Sequence, residues 1–303
     1  MMHFPFHRLT SLLLLAGVAQ AQPTASATPA QASAPAATAA APLPAKAPAP
    51  LRVAVDPHAA PLIFKTGDKY SGLEAEFARG LGDALGRPVV FVETTPANLI
   101  NLLMTDKADI IMSGLSISRL RMVRAAFCDP YLRIGQVVVC RLADFSIYAN
   151  NGNLPNLKAD VGVVAGSTGD VLVGEQFSFA SRKTFATNLE AMQALLARKV
   201  DILVTDYPVA VWENSENETM IGVVPTLLSQ EDLAWAVRKD DDALRIAANK
   251  YLEQLRASGS LATMVHKWVP DSSPDAIAPK PAAPAGTTPS AGSAAPKATA
   301  AKN

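Results

Sequence analysis

Apolar residues in the middle of the chain alternate between short continuous runs and runs with helical spacing. The stretch 51–55 is a short apolar run of the kind found in buried strands. It is followed by four apolar residues spaced four apart: Leu73, Phe77, Leu81 and Leu85. This spacing predicts a helix with one apolar face, and Gly86 follows it at the position of a helix C-cap.

The same alternation of strand and helix continues to Trp268. Further strands are predicted at 89–92, 108–112, 136–141, 161–164, 184–185, 200–204 and 233–237. Further helices are predicted at 99–105, 168–177, 189–197 (capped by Asn188) and 241–258, with a short last helix that ends at Trp268. Alternating strands and helices indicate parallel α/β sheets with right-handed crossovers. Two such series predict two lobes, each a central, mostly parallel sheet flanked by helices, with a ligand cleft between them.

The two ends of the chain differ from this core. Residues 1–21 have a weakly basic start, an apolar stretch and an Ala-x-Ala site, which predicts a signal peptide cleaved after Ala21 and a periplasmic protein. Residues 22–50 contain 13 Ala and 7 Pro, and 271–303 are again rich in Ala and Pro. Both segments are predicted to be disordered, because they hold too few large apolar residues to offset the entropy of ordering. They act either as spacers or as neutral low-complexity sequence.

Composition excludes several classes of function. Residues 51–270 hold 22 of the 27 basic and 25 of the 27 acidic side chains, a net charge of −3 that argues against a nucleic-acid partner. Two cysteines and two core histidines, His58 and His266, are too few for an ordinary zinc site, so no metal or other cofactor is expected. Neither histidine has the spacing of a Ser-His-Asp or Cys-His nucleophile set. The apolar runs are also too short for a membrane span.

The first candidate site is the turn 113–118, which follows a predicted strand and leads into a helix with Arg119, Arg121 and Arg124. Backbone N–H groups at a helix start favour anions, and an arginine in the first turn can hold a carboxylate with two hydrogen bonds. The alternative is a basic helix face that is simply solvated.

Two more turns follow predicted strands. The turn 165–170 offers glycines and hydroxyl groups but lacks the lysine of a phosphate-binding loop. Asp206 stands just past a strand, with Pro208 at the first position of the next helix, where it suits an ammonium group or serves only as an N-cap. An anion site in one lobe and a cation acceptor in the other describe a receptor for a zwitterion.

Cys128 and Cys140 are twelve residues apart. An exported protein can form a disulfide between them, and two buried free thiols are the alternative. Nothing in the sequence around them indicates a reactive cysteine.

The central part of the chain, residues 51–270, resembles a known family, the periplasmic solute-binding proteins of polar amino-acid ABC transporters (bacterial extracellular solute-binding protein family 3). The resemblance covers nearly all of 51–270, and it rests on the order and spacing of several motifs. These motifs are 64–73 (FKTGDKYSGL), 108–118 (ADIIMSGLSIS), 129–131 (DPY), 135–136 (GQ), 166–169 (GSTG), 200–202 (VDI), 233–239 (LAWAVRK) and 261–268.

The resemblance implies the type II periplasmic-binding-protein fold, with one lobe from 51–135 and 231–270 and the other from 136–230. It implies a monomer that closes on a small ligand and delivers it to a membrane permease. It assigns Arg121 to the ligand carboxylate and Asp206 to the ammonium. The remaining ligand-binding residues are expected to be Gly114, Ser116, Thr168, Gly169 and Asp56.

Two positions depart from the family pattern. The aromatic residues that usually flank the ligand correspond here to Ala59 and Pro96, although Phe64 and Tyr70 are close in sequence. The side-chain pocket is therefore not defined by the sequence, and a larger, more apolar or non-amino-acid ligand stays open.

Other functions on the same fold stay open as well. One is a stand-alone sensing or accessory solute-binding protein. Another is a cyclohexadienyl dehydratase acting on prephenate or arogenate, which needs an acid to protonate the leaving hydroxyl group. Glu175 and Glu231 are the candidates for that acid, although no motif places either of them.

Overall fold

The computed structural model describes residues 48–150, 152–270 and 276–277. The predicted signal peptide, most of the predicted N-terminal linker and nearly all of the C-terminal Ala/Pro-rich segment lie outside the described residues.

The described residues form fifteen strands and nine α-helices in chain order. The strands are β1 Leu51–Val55, β2 His58–Ala59, β3 Ile63–Thr66, β4 Lys69–Ser71, β5 Val89–Glu93, β6 Ile110–Ile111, β7 Ala126–Phe127, β8 Leu132–Ile134, β9 Gln136–Arg141, β10 Asp160–Val164, β11 Ser181–Phe185, β12 Ile202–Asp206, β13 Ile221–Val224, β14 Glu231–Leu233 and β15 Ala236–Val237. The helices are α1 Leu73–Leu85, α2 Leu99–Met104, α3 Arg119–Arg124, α4 Phe145–Ala149, α5 Thr168–Gln176, α6 Asn188–Leu196, α7 Tyr207–Glu216, α8 Asp242–Ala257 and α9 Ser260–Trp268.

Two five-stranded sheets form the centres of two lobes. The first has the strand order β5-β1-β6-β15-β7, and the second has the order β11-β10-β12-β9-β13. In each sheet four strands run in one direction, while β15 in the first sheet and β9 in the second run against their neighbours. The predicted fold class, two lobes with mostly parallel sheets, is confirmed.

The two antiparallel strands mark the places where the chain crosses between the lobes. Strand β9 follows the first crossing and β15 follows the second. The crossing segments themselves pair as an antiparallel ribbon of β8 and β14, with Leu132 opposite Leu233 and Ile134 opposite Glu231. A two-stranded ribbon between two packed lobes is a natural hinge.

Each lobe has its own apolar core. In the first lobe Phe77, Tyr131 and Trp235 are fully buried, and their rings contact one another at centroid distances of 5.3 to 5.9 Å. The second sheet is covered on both faces by separate clusters. The predicted apolar face of α1 is confirmed, and Gly86 caps it with a positive φ of 62°, a conformation that glycine adopts without strain.

The structure adds short strands and helices that the pattern did not predict, and two of the predicted elements differ in an informative way. The apolar run 233–237 is divided between β14 and β15, because Leu233 pairs in the hinge ribbon while Trp235 turns into the lobe core. The cap of α6 is Thr187, whose Oγ1 accepts from the Glu190 N–H, and Asn188 is the first helical residue. Sequence pattern alone does not distinguish which of two adjacent capping residues takes the extended conformation.

Glu74 is a fully buried carboxyl group inside the first lobe. Its Oε1 accepts from the Gly114 N–H at 2.7 Å and the Tyr131 hydroxyl at 2.5 Å, and its Oε2 accepts from Trp235 Nε1 at 3.0 Å. Burial raises the pKa of Glu74 to about 7, although these three hydrogen bonds oppose the shift. The carboxyl group therefore connects the lobe core to the loop that carries Gly114.

A Glu74→Gln substitution should change how stability depends on pH. Because the unfolded chain releases this proton near its ordinary pKa, 4.5, and the folded chain only near 7, the wild-type free energy of unfolding falls as pH rises through that interval. Relative to the variant, the free energy of unfolding of wild type should fall by about 2 to 3 kcal/mol between pH 5 and pH 8. Chemical denaturation at several pH values measures these free energies. A difference between wild type and variant that stays the same at every pH would contradict the prediction.

Candidate functional site

A cavity of about 560 Å³, including its mouth, lies where the carboxyl ends of the parallel strands of both lobes meet. Residues from both lobes line it: Asp56, Ala59, Pro96, Leu99, Ser113, Gly114, Leu115, Ser116, Arg121, Gln136, Val164, Ser167, Thr168, Asn188, Val204, Thr205 and Asp206. Most of these side chains carry hydroxyl, amide or charged groups. A cleft of this composition suits a small polar ligand.

The loop after β6 forms one wall. Gly114 has a φ of 64°, and a Cβ added there would lie 2.7 Å from Leu62 Cδ1, so both conformation and space require glycine. The Gly114 N–H donates a hydrogen bond to Glu74 Oε1. Ser116 forms an antiparallel β-bridge with Leu233 of the hinge ribbon. The loop is thereby fixed to the lobe core and to the hinge.

Arg121 is directed at the cleft from helix α3, which Ser118 caps by accepting from the Arg121 N–H. Its Nη1 donates to the Ser116 carbonyl at 2.8 Å, and its Nη2 donates across the cleft to the Gly166 carbonyl at 3.0 Å. Burial lowers the pKa of the Arg121 guanidinium, whereas the negative charges of Asp206 and Glu231 raise it. The group keeps its charge, because an arginine stays protonated even when partly desolvated.

Asp206 is the last residue of β12 and stands at the N-cap of α7, but its side chain makes no capping hydrogen bond. It accepts a short hydrogen bond from Gln136 Nε2 and keeps part of its surface open to the cavity. Enclosure between the lobes raises the pKa of Asp206 to about 7. The charge of Glu231 adds to the shift, whereas Gln136 and Arg121 oppose it.

Asp56 follows β1 as a second buried carboxyl group at the cavity. Its N–H donates to Ser113 Oγ at 2.8 Å, and its Oδ1 lies 2.8 Å from Nδ1 of His58. Burial raises the pKa of Asp56, and the hydrogen bond with His58 offsets part of the shift. The cavity therefore has two carboxyl groups and one guanidinium on its walls.

Direct contacts join the lobes across the cleft. Besides the bond from Arg121 to Gly166, Asn188 Nδ2 donates to the His58 carbonyl at 3.2 Å. Gly166 packs so closely on Ala97 that an added Cβ would lie 2.6 Å from the Ala97 Cα. The structure therefore shows the lobes in contact around the cavity.

Comparison with known proteins identifies the family. Residues 51–271 match the family model of bacterial extracellular solute-binding proteins, family 3. The chain is a family 3 solute-binding protein. Similar proteins include the cyclohexadienyl dehydratase of Pseudomonas aeruginosa, 25% identical over 224 residues that cover 72% of this chain and 82% of the relative. The histidine-binding periplasmic protein of Escherichia coli is 26% identical over 238 residues, 72% of this chain and 86% of the relative.

A solved structure agrees with this family. The ancestral amino acid-binding protein AncCDT-1, described as a precursor of cyclohexadienyl dehydratase, superposes with a TM-score of 0.67 at 32% identity. The match covers 72% of this chain and 94% of that structure. The family 3 resemblance seen in the sequence motifs is confirmed.

The structure of this solute-binding protein places six of the seven predicted ligand-binding residues along the cavity: Asp56, Gly114, Ser116, Arg121, Thr168 and Asp206. Gly169 does not line it and instead packs against Gln136 and Val204 in the first turn of α5. Arg119 and Arg124, the other arginines of α3, are exposed and do not line the cavity. Ligand contact by the six residues is still a prediction.

The structure also shows how the positions of the missing aromatic residues are filled. Ala59 and Pro96, the residues that the resemblance sets at the places of the flanking aromatic residues, both line the cavity. Phe64 packs against two tryptophans, and Tyr70 stacks on Phe91 with centroids 4.4 Å apart, so neither reaches the cavity wall. None of the residues that line the cavity of this binding protein is aromatic, and polar side chains are interspersed with small and aliphatic ones.

Three polar residues of the cavity were missed in the sequence: Gln136, Asn188 and Thr205. Gln136 lies directly opposite Asp206 in the β9–β12 ladder, and its Nε2 also donates to Thr168 Oγ1 at 3.2 Å. Thr205 donates its hydroxyl to Asn188 Oδ1 at 3.3 Å. The only sequence signal for Gln136 was its position in the GQ motif, because the register of an antiparallel pair cannot be read from either strand alone.

Cys128 and Cys140 are both buried and unpaired, in the cores of different lobes. Burial raises the pKa of Cys128 to about 12 and that of Cys140 to about 11, which keeps both as thiols at neutral pH.

In the described part of the chain no cluster of His, Cys, Asp and Glu could hold a metal ion. The helices described there are all too short or too polar to cross a bilayer.

Replacing Gly166 by Ala should keep the lobes of this solute-binding protein apart. The added Cβ would overlap Ala97 of the other lobe, so the variant should have a larger radius of gyration by X-ray scattering. Gly67→Ala is a matched control, because Gly67 also has a positive φ, 59°, but nothing within 4 Å of an added Cβ. Both variants should lose roughly 1 kcal/mol of stability through backbone strain. Equal scattering from both variants would contradict the role of Gly166.

Proposed function

We propose that this protein is a periplasmic receptor that binds a small zwitterionic solute, an amino acid or a close derivative, and delivers it to an ABC-type permease. The observation that carries the proposal is the pair of opposite charges on one cavity. Arg121 comes from one lobe and Asp206 from the other, and both are withdrawn from bulk water. A ligand with a carboxylate and an ammonium group satisfies both charges and joins the lobes.

The carboxylate of the ligand is assigned to Arg121. The two guanidinium hydrogen bonds to backbone carbonyls leave further N–H groups free, and these bonds hold the planar group in one orientation. Ser116 and Thr168 add hydroxyl groups, and the start of α5 adds backbone N–H groups that favour negative charge.

The ammonium of the ligand is assigned to Asp206. Gln136 Nε2 donates to one oxygen of the Asp206 carboxylate and so orients it. Part of the surface of Asp206 stays open to the cavity. A charge-assisted hydrogen bond in such an enclosed place is stronger than one on the surface.

The side chain of the ligand is assigned to the region of Asp56. The α-carboxylate and α-ammonium of an amino acid occupy Arg121 and Asp206. The remaining carboxyl group of the cavity, Asp56, then has His58 as its partner. This remaining negative charge, together with the hydroxyl and amide groups, favours a side chain with hydrogen-bond donors or a positive charge. Histidine, the ligand in the name of the histidine-binding relative from Escherichia coli, has a side chain with a hydrogen-bond donor.

Binding and closure are coupled in this proposal. The ligand bridges the lobes, the ribbon of β8 and β14 bends, and the contacts of Arg121 with Gly166 and of Asn188 with His58 complete the closed form. Export and delivery to a permease are inferred from the family and from the signal-like residues 1–21.

A thermal-shift screen of the standard amino acids, L-ornithine, L-cystine and prephenate tests the proposal. One or a few α-amino acids should stabilise wild type, by about 2.7 kcal/mol at 100 times the dissociation constant. Arg121→Ala and Asp206→Asn should each lower the affinity for that amino acid roughly 10- to 100-fold, because each removes a charged hydrogen-bond partner.

Arg124→Ala is the matched control for this screen, because Arg124 lies on the same helix but is exposed and away from the cavity. It should bind like wild type. A screen without any stabilising amino acid, or an equal loss in Arg124→Ala and Arg121→Ala, would contradict the proposal.

Affinity for the amino acid should also depend on pH through Asp206. Because the pKa of Asp206 is raised to about 7, much of the carboxyl group is protonated at pH 6, whereas the ammonium group of the ligand needs the ionised form. Affinity should therefore rise roughly tenfold at most from pH 6 to pH 8. Titration calorimetry measures this rise, and Asp206→Asn should remove most of it. An equally steep rise in that variant would assign the effect to another group.

A dehydratase is the second candidate, because one relative is a cyclohexadienyl dehydratase. Neither Glu175 nor Glu231 lines the cavity, and Glu175 is exposed. Prephenate carries two carboxylates, whereas the cavity offers one guanidinium and two carboxyl groups. This charge balance favours the receptor, and consumption of prephenate in the screen would favour the enzyme.

A further inference from the structure

A second cavity, of about 620 Å³ including its mouth, takes its walls from both lobes. Its apolar walls include Pro61, Trp268 and Pro270 from one lobe and Tyr207, Pro208 and Trp212 from the other. We name this surface the tryptophan groove. None of the seven predicted ligand-binding residues lines it.

Phe64 holds the two tryptophans of the groove in place. Its ring lies 5.5 Å from the ring of Trp212 and 5.9 Å from the ring of Trp268. The Nε1 of Trp268 is buried and has no hydrogen-bond acceptor among the described residues. Because this nitrogen is buried, it is not open to an occupant, and the tryptophans contribute their rings to the groove wall.

Aromatic and proline walls suit one kind of occupant well. Proline-rich segments favour the extended polyproline II conformation, which makes no internal hydrogen bonds and leaves its carbonyl groups free. Such segments bind in aromatic-lined grooves, where their rings pack on tryptophan and tyrosine and their carbonyls accept from side-chain donors.

The chain itself contains such a segment, close in sequence to the groove wall. Pro270 forms part of the groove wall, and Ala276 and Ile277 pack against the core of the first lobe. The residues that follow, 278–289, read APKPAAPAGTTP. Pro281 and Pro284 are three apart in sequence, so in a polyproline II helix, with three residues per turn, they would lie on one side.

The N-terminal Ala/Pro-rich segment is attached at a less favourable place. It enters the fold at the amino end of β1, where Arg87 donates to the carbonyl groups of Ala49 and Pro50. The ligand cleft lies at the opposite, carboxyl end of that strand, close in sequence to Pro61 and Tyr207 of the groove.

We propose that the proline-rich segment 278–289 binds in the tryptophan groove of its own chain, with its proline rings packed on Trp212 and Trp268. A segment tethered this close is present at an effective concentration of the order of 1 mM, so a peptide affinity better than about 1 mM suffices.

The three tryptophans of the chain provide a direct test by NMR, since each gives one indole N–H signal. The reference is the full chain without its predicted signal peptide, and the variant is P279S/P281S/P284S/P289S. The signals of Trp212 and Trp268 should move in the variant, while that of Trp235, bonded to Glu74 in the core, should not. A synthetic peptide 276–290 added to the variant should restore both signals, with an apparent dissociation constant below about 1 mM.

The matched control is P23S/P29S/P35S/P42S, which changes as many prolines in the N-terminal segment and should leave all three signals in place. Unchanged Trp212 and Trp268 signals in the C-terminal variant would overturn the proposal. So would movement in the N-terminal variant alone, or failure of the peptide to restore the signals. Signal positions that depend on protein concentration would assign the groove to a second copy of the chain and would also overturn it.

Discussion

The chain passes between the lobes twice, and this constraint determines how the rest of the molecule is arranged. The two crossing segments pair as β8 and β14, and the first strand after each crossing enters its sheet antiparallel to its neighbours. The carboxyl ends of the parallel strands in both sheets therefore meet at one cleft. Asp56, Ser113 and Asp206 reach the same cavity because each stands at or just after the end of a strand.

Charge is the second organising feature, because the cleft withdraws three ionisable groups from water. Arg121 faces Asp206 from the other lobe, and the Asp56 carboxyl group pairs with the half-exposed ring of His58. Isolated charges in such a place are costly, and a ligand with matching charges lowers that cost. In the proposed receptor this feature would couple closure to ligand binding, since the matching charges come from different lobes.

Much of the fold could be predicted from local patterns. The fourfold spacing from Leu73 to Leu85 and the glycine after it specify α1, and the apolar runs specify most of the central strands. The division of 233–237 between β14 and β15 could not be predicted, since one apolar run can serve two sheets when the chain crosses a hinge. The choice of Thr187 over Asn188 as a cap depends on backbone conformation that the residue types leave open.

The candidate site shows a similar limit. Arg121 and Asp206 were recognised because each stands at a strand-to-helix turn, where sequence and position agree. Gln136 was missed because its place beside Asp206 follows from strand register, and register arises from tertiary packing. The tryptophan groove was missed for the same reason, because Trp212 and Trp268 meet only through Phe64 after both lobes have formed.

The central claim is that the two lobes hold opposite ends of one zwitterion. A crystal structure of the protein with the amino acid that stabilises it most tests this claim directly. The account predicts the ligand carboxylate within hydrogen-bond distance of the Arg121 guanidinium and its ammonium group within hydrogen-bond distance of Asp206, with both lobes in contact around it. A ligand bound to one lobe only, or with its ammonium group away from Asp206, would contradict the account.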